Sequence, residues 1–205
     1  MSVMSFTLNL LAAFALFAFV SSITPGPNNT MLLASGVNFG FRRSIPHALG
    51  VSLGFALMVV GVGLGLGAVF QAVPVAYTLL KYIGAAYLLY LAYRIATSGP
   101  MSTDGAGSER QPMGFLAAAA FQWVNPKAWV MAVGAITTYT PAQGYIANVF
   151  VVALVFALVN LPSVCFWVGC GSALRRVLQE RRWLVLFNGV MALLLVASLY
   201  PLLVS

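Results

Sequence analysis

Apolar residues run through the chain in six long stretches, 6–41, 44–70, 75–96, 113–139, 145–172 and 183–203, parted by short groups of charged or turn residues. A helix of about 20 apolar residues crosses the roughly 30 Å hydrocarbon core of a bilayer. Each stretch is long enough to span, and the pattern predicts an all-α integral membrane protein with six transmembrane helices. The only properly polar stretch, Gly99 to Pro112, divides them three and three. The expected organisation is a three-helix unit over 1–98, a cytoplasmic linker over 99–112, and a second three-helix unit over 113–205.

The first stretch has 36 residues, about 54 Å of helix, too long for one straight crossing and too short for two with a turn. Something must break it. Thr24-Pro25-Gly26-Pro27-Asn28-Asn29 supplies the break, because two prolines remove backbone donors and clash with the preceding turn while glycine relaxes the chain. A second break is expected at Asn125-Pro126-Lys127, in the fourth stretch. Both units thus open with a proline-broken helix. Because each unit has an odd number of crossings, the two run in opposite senses through the membrane. That is the pattern of an inverted-repeat transporter with its solute site where the broken helices meet.

Composition removes the soluble alternatives. The chain has 205 residues, 61% hydrophobic and 6% charged, against roughly 25% charged in soluble domains, so any function lies within the bilayer. The net charge of +7 does not point to nucleic acid. Eight of the ten basic residues sit between apolar runs: Arg42 and Arg43, Arg94 and Arg110, and Arg175, Arg176, Arg181 and Arg182. The connections Gln71–Pro74 and Thr140–Gly144 carry no charge. The positive-inside rule then puts the three basic loops in the cytoplasm and both termini outside. The first run, Phe6–Ile23, has no basic residue before it, as a signal peptide would, and reads as a retained membrane segment. Cys165 and Cys170, five apart in a helical run, are too far apart for a disulfide.

A broken helix in lipid exposes N–H and C=O groups that must find partners. After Pro27, the free amides around Asn28, Asn29 and Thr30 offer a positive dipole end to a carboxylate. The carbonyls around Ser22–Thr24 offer themselves to an ammonium group. A zwitterionic amino acid fits that pairing, and a purely structural kink is the alternative.

These motifs have a family likeness. Thr24-Pro25-Gly26-Pro27-Asn28-Asn29, Gly40 with Arg42, Leu80-Lys81 followed by Gly84-Ala85-Ala86-Tyr87-Leu88, and Asn125-Pro126-Lys127-Ala128 resemble the LysE/RhtB family of amino acid exporters over nearly the whole chain. Gly50-Val51-Ser52-Leu53-Gly54-Phe55, Ala92 to Ser98 and Phe121-Gln122-Trp123-Val124-Asn125 are most similar to its cysteine and O-acetylserine exporters. The resemblance implies export of small neutral amino acids from the bacterial cytoplasm across the inner membrane, driven by an ion gradient. Exporters of homoserine, threonine or leucine are the nearest alternative. It also implies Tyr87 as a cavity residue.

The expected solute site therefore comprises Pro25, Gly26, Pro27, Asn28, Asn29, Tyr87, Asn125, Pro126, Lys127 and Asn160, with no cofactor, no metal and no catalytic residue. Lys127 and Lys81 are the basic residues outside the cytoplasmic loops. Lys81 reads as a snorkelling residue near the outer interface. Lys127 stands at the second break, where an ionisable group is a functional candidate by default. It either binds a substrate carboxylate, takes part in proton coupling, or caps carbonyls freed by Pro126. Asn160, in a predicted interruption Asn160-Leu161-Pro162-Ser163 of the fifth span, either lines the same cavity or joins two helices. His47, after Pro46, reads as an interfacial hydrogen-bonding residue. No Asp or Glu lies in a spanning stretch, so a carboxylate proton relay is excluded and so, by charge, is a basic substrate.

The rival class is an integral-membrane enzyme. Paired aspartates and H-E-x-x-H are absent, and Ser52 with His47 makes only a nominal pair. Gly50-Val51-Ser52-Leu53-Gly54 matches a nucleophile elbow in letters, but that elbow needs a strand-to-helix turn. Gly50 and Gly54, like Gly61 and Gly65, read as helix-packing positions. The partners expected are a small amino acid and the lipid bilayer, and the sequence leaves a homo-oligomer open.

Overall fold

The computed structural model describes residues 7–66, 74–98, 111–178 and 180–200. Eight α-helices occupy them, with no strand among the described residues. They are α1 (Leu8–Ile23), α2 (Pro27–Phe39), α3 (Phe41–Gly61, continued by a π turn Val62–Leu66) and α4 (Pro74–Ala96). After them come α5 (Phe115–Phe121, continued by a 3-10 turn Gln122–Val124), α6 (Pro126–Tyr139), α7 (Tyr145–Leu174) and α8 (Arg181–Ala197). Most of the predicted linker, 99–110, lies outside the described residues, as do 71–73 and the side chain of Lys81.

The first stretch breaks where its prolines stand, and α1 and α2 meet at a bend of 54°. The 13 residues of α2 make about 20 Å of helix, short of a bilayer core on their own. The bent pair together, α3 with its π turn, and α7 are each long and apolar enough to cross a membrane. By length and composition the described helices thus supply two spans, or three with the bent pair counted as one. The fold is a bundle of apolar helices, and the six-crossing arrangement goes beyond that measure.

Helix α7 is the central post, against which α1, α2 and α3 pack, while α4 packs on α8 and α5 on α3. Phe156 of α7 anchors one core, with Phe55 of α3 at 4.9 Å and Phe14 of α1 at 5.2 Å in edge-to-face contact. The outward face of α7 is apolar too, with Phe150, Leu154, Leu158 and Phe166 each more than half exposed. A helix hydrophobic all round belongs in lipid or a buried core, and here the outer face is free for lipid.

Two glycine contacts set the helix spacing. A Cβ on Gly171 would stand 2.1 Å from the Leu33 carbonyl, and one on Gly36 would stand 2.3 Å from the Val168 carbonyl. The α2 and α7 backbones touch there, so neither site can relax by moving a side chain. Gly171→Val should lower the thermal midpoint in detergent by about 10 °C or more. Gly169→Val, with nothing within 4 Å of its Cβ, should leave the midpoint near wild type. Gly50 and Gly54 serve α3–α5 packing in the same way, their Cβ positions falling 2.3 Å from Phe115 O and 2.4 Å from Ala119 Cα. Gly65 does not: at φ 111 with nothing nearby, it makes the kink in the π turn.

The predicted interruption at Pro162 is absent. Helix α7 runs unbroken through it, because proline removes one donor and its neighbours absorb the freed groups within a packed membrane helix. Ser163 bonds back to the Val159 carbonyl at 2.9 Å.

Candidate solute site at the junction of two helix breaks

At the first break the carbonyls freed by Pro25 and Pro27 are all accounted for. Ser21 O accepts the Thr24 hydroxyl at 3.1 Å, and Ser22 O accepts Asn29 Nδ2 at 2.8 Å. Ile23 O accepts the indole N–H of Trp167 at 3.1 Å. Thr24 O accepts Asn29 Nδ2 at 2.8 Å and the Lys127 ammonium at 2.6 Å. Pro27 opens α2 at the position where a missing N–H costs nothing. The N–H groups of Asn28 and Asn29 lie in the first turn, which has no carbonyl of its own helix to serve them.

The second break is built alike. Asn125 caps α6, its Oδ1 accepting the Lys127 N–H at 3.1 Å, and Pro126 takes the first helical position. Each break then reaches into the other with the residue that follows its proline. The Lys127 Nζ donates to Thr24 O, to Thr24 Oγ1 at 2.9 Å and to Pro25 O at 3.3 Å, three acceptors for three protons. Asn28 and Gln122 exchange amide hydrogen bonds at 2.8 and 3.2 Å. The ammonium expected from a substrate at the Thr24 carbonyl is therefore the protein's own.

A cavity of about 20 Å³, room for one water-sized group, lies at this junction. Gly26, Asn28, Asn29, Asn125, Lys127 and Asn160 line it. Asn160 Nδ2 donates to the Ser22 hydroxyl at 3.1 Å, while its Oδ1, buried on the cavity wall, has no partner. Asn160 thus both lines the cavity and joins α7 to α1. Pro25, Pro27 and Pro126 shape the breaks without lining the cavity. Tyr87 is elsewhere, on a second and larger cavity, stacked on Tyr90 with ring centroids 6.0 Å apart.

Glu180, the acidic side chain among the described residues, pairs with Arg182 at 2.7 Å on the surface. No described carboxylate neutralises Lys127. Among the described residues no three of His, Cys, Asp and Glu come together to hold a metal. Ser52 bonds to the Ala157 carbonyl at 3.3 Å and not to His47, so the nominal serine and histidine pair does not exist. His47 does not hydrogen-bond as expected, since it is 2% exposed and neither ring nitrogen has a partner.

Sequence reasoning missed Gln122, fully buried and paired with Asn28. Its signal was an amide just after an alanine run, one turn ahead of Asn125-Pro126. Trp167 was missed as a break-capping group for the same reason: a single polar atom in an apolar helix gives no pattern.

Apolar helices around two mutually capped breaks, with the Lys127 ammonium at their junction, define a helical membrane protein. The chain belongs to the LysE family: the family model for LysE type translocators matches residues 19–200. It is 34% identical over 194 residues to the cysteine/O-acetylserine efflux proteins of Escherichia coli (strain K12) and Shigella sonnei (strain Ss046), covering 93% of this chain and 95% of theirs. No solved structure matches it.

Proposed function

We propose that the protein exports small neutral amino acids, such as cysteine and O-acetylserine, from the bacterial cytoplasm across the inner membrane by alternating access driven by an ion gradient. The fold in this reading has six crossings as two inverted three-helix repeats, 1–98 and 113–205, joined by a cytoplasmic linker at 99–112. The reciprocal docking of the breaks supports it: Asn28 and Lys127, each just after the proline that opens its half-helix, reach three to four residues back along the other break. Counterpart helices also pair, α3 with α7 and α4 with α8, which fits two halves related by a pseudo-two-fold axis in the membrane plane.

The observation that carries the function is the Lys127 ammonium at the junction, held by neutral oxygens with no described carboxylate beside it. A substrate carboxylate is its natural counter-ion, and a cationic side chain would find no partner. The size of the cavity supports alternating access, because about 20 Å³ has room for a water and not for an amino acid. The junction must open to load and close to move its cargo.

Inverted vesicles energised and supplied with labelled solute test this directly. Cysteine and O-acetylserine should accumulate at initial rates at least about tenfold above lysine, the factor that one unpaired charge imposes. Preference for lysine overturns the substrate class. Preference for homoserine, threonine or leucine moves the protein to a neighbouring substrate group.

A further inference from the structure

A second cavity, of about 400 Å³, opens between α2, α3, α4 and the segment leading into α5. Its volume falls in the range of small-molecule sites, about 300–1,000 Å³. It extends from Arg94, Ser98 and Gln111, at the end carrying the basic loops, inward to Met31. Met31 is one turn from Pro27 and lies on the face of α2 that also presents Asn28 to the junction. The two cavities are thus consecutive along α2.

Much of the polar wall is already committed. Ser35 bonds Ser44 at 2.8 Å, and Asn38 exchanges amide hydrogen bonds with Asn188 at 2.9 and 3.1 Å. Asn188 closes that set on Ser98 O at 2.7 Å. Two strong groups are left over. The Arg94 guanidinium has no ion pair or hydrogen bond among the described residues, and it is the charged side chain on this wall. His47, on the same wall, is buried with both ring nitrogens unpartnered. Buried imidazole nitrogens without partners cost free energy, and the packed residues around this ring supply none. The open space beside the ring is the cavity.

We infer that this vestibule is a second, cytoplasm-facing solute site, in which Arg94 holds the carboxylate of a small amino acid and His47 meets a polar N–H or O–H at its other end, before the solute passes to the junction. The inference rests on the export reading above. It gives Arg94 a role beyond topology, and it makes Tyr87 and Tyr90 the side wall of a loading chamber. A guanidinium is suited to a carboxylate by its fork of donors, and no described acidic side chain on this wall would compete for it.

The test is sided. With labelled O-acetyl-L-serine, Arg94→Gln should raise the half-saturation concentration at the cytoplasmic face about tenfold or more, the loss expected for a charged hydrogen bond. In counterflow the opposite face should keep its wild-type value. His47→Leu should act in the same direction, and His47→Gln, which retains a donor and an acceptor, should stay near wild type. Unlabelled L-serine should compete at the cytoplasmic face of the wild type, L-serinamide should not, and Arg94→Gln should erase the difference. Arg94 is exposed, so its variant tests the site without burdening the fold. An unshifted Arg94→Gln, an equal shift at both faces, or serinamide competing as well as serine overturns the vestibule site while export stands. A wild type that moves neither O-acetylserine nor cysteine overturns export and the vestibule together.

Discussion

Lys127→Met is expected to cut both gradient-driven export and counterflow exchange at least about tenfold while the protein still inserts and folds. The ammonium donates to three acceptors on the other break, at 2.6, 2.9 and 3.3 Å. Methionine keeps the length and loses every donor. Hydrogen bonds to charged groups contribute about 1.5–3 kcal/mol each, so losing one substrate carboxylate contact lowers binding about 10- to 100-fold. The cap itself is partly redundant, since Thr24 O also accepts Asn29 Nδ2 at 2.8 Å, and this is why folding should survive. Lys127→Arg keeps the charge but presents a planar fork in place of a compact ammonium. It should bind substrate and transport slowly.

Exchange and driven flux measured side by side in proteoliposomes separate the roles Lys127 could play. Loss of both in Lys127→Met is the outcome for a carboxylate ligand. Retained exchange with lost accumulation would make Lys127 the coupling group, because exchange needs no net proton movement. Near-normal values for Lys127→Gln in both assays would reduce it to a cap on a broken helix and sink the functional role.

The breaks themselves were legible because proline and glycine act locally: Pro25 and Gly26 follow a helix end, and Pro27 and Pro126 open the next helix. What each break would touch was not legible. Asn28 meets Gln122 from 94 residues away and Lys127 meets Thr24 from 103 residues away, and no local pattern encodes such a pairing. Pro162 shows the limit of the local rule, since in α7 the surrounding helices carry the chain straight past it. His47 shows another. A histidine beside Pro46 at the start of an apolar run reads as a hydrogen-bonding residue, yet α3 begins six residues earlier, at Phe41, and buries the ring with neither nitrogen partnered. The larger cavity was invisible for the same reason as the amide pair: it lies between helices, and its walls come from four separate parts of the chain.

Gly26→Leu should abolish export and leave the amount of folded protein within about twofold of wild type. Gly26 has φ 178 and ψ 179, extended backbone open to any residue. What excludes a side chain is Lys127: a Cβ here would stand 2.7 Å from its Cδ and 3.3 Å from its Nζ. The obstacle is a flexible side chain, unlike the backbone carbonyls facing Gly36 and Gly171, so the fold can yield by moving Lys127 off Thr24. The charge is then displaced from the junction, which should cost transport as much as removing it. Even Gly26→Ala should reduce export severalfold, because charged contacts weaken steeply once their geometry is lost. Since Gly26 acts through Lys127, the two are coupled, and contacting residues do not add. Gly26→Ala combined with Lys127→Met should therefore export no less than Lys127→Met alone, measured on residual exchange at raised substrate. Losses that multiply instead would mean that the glycine works as a hinge in its own right, and the account of it as clearance for the ammonium would fall.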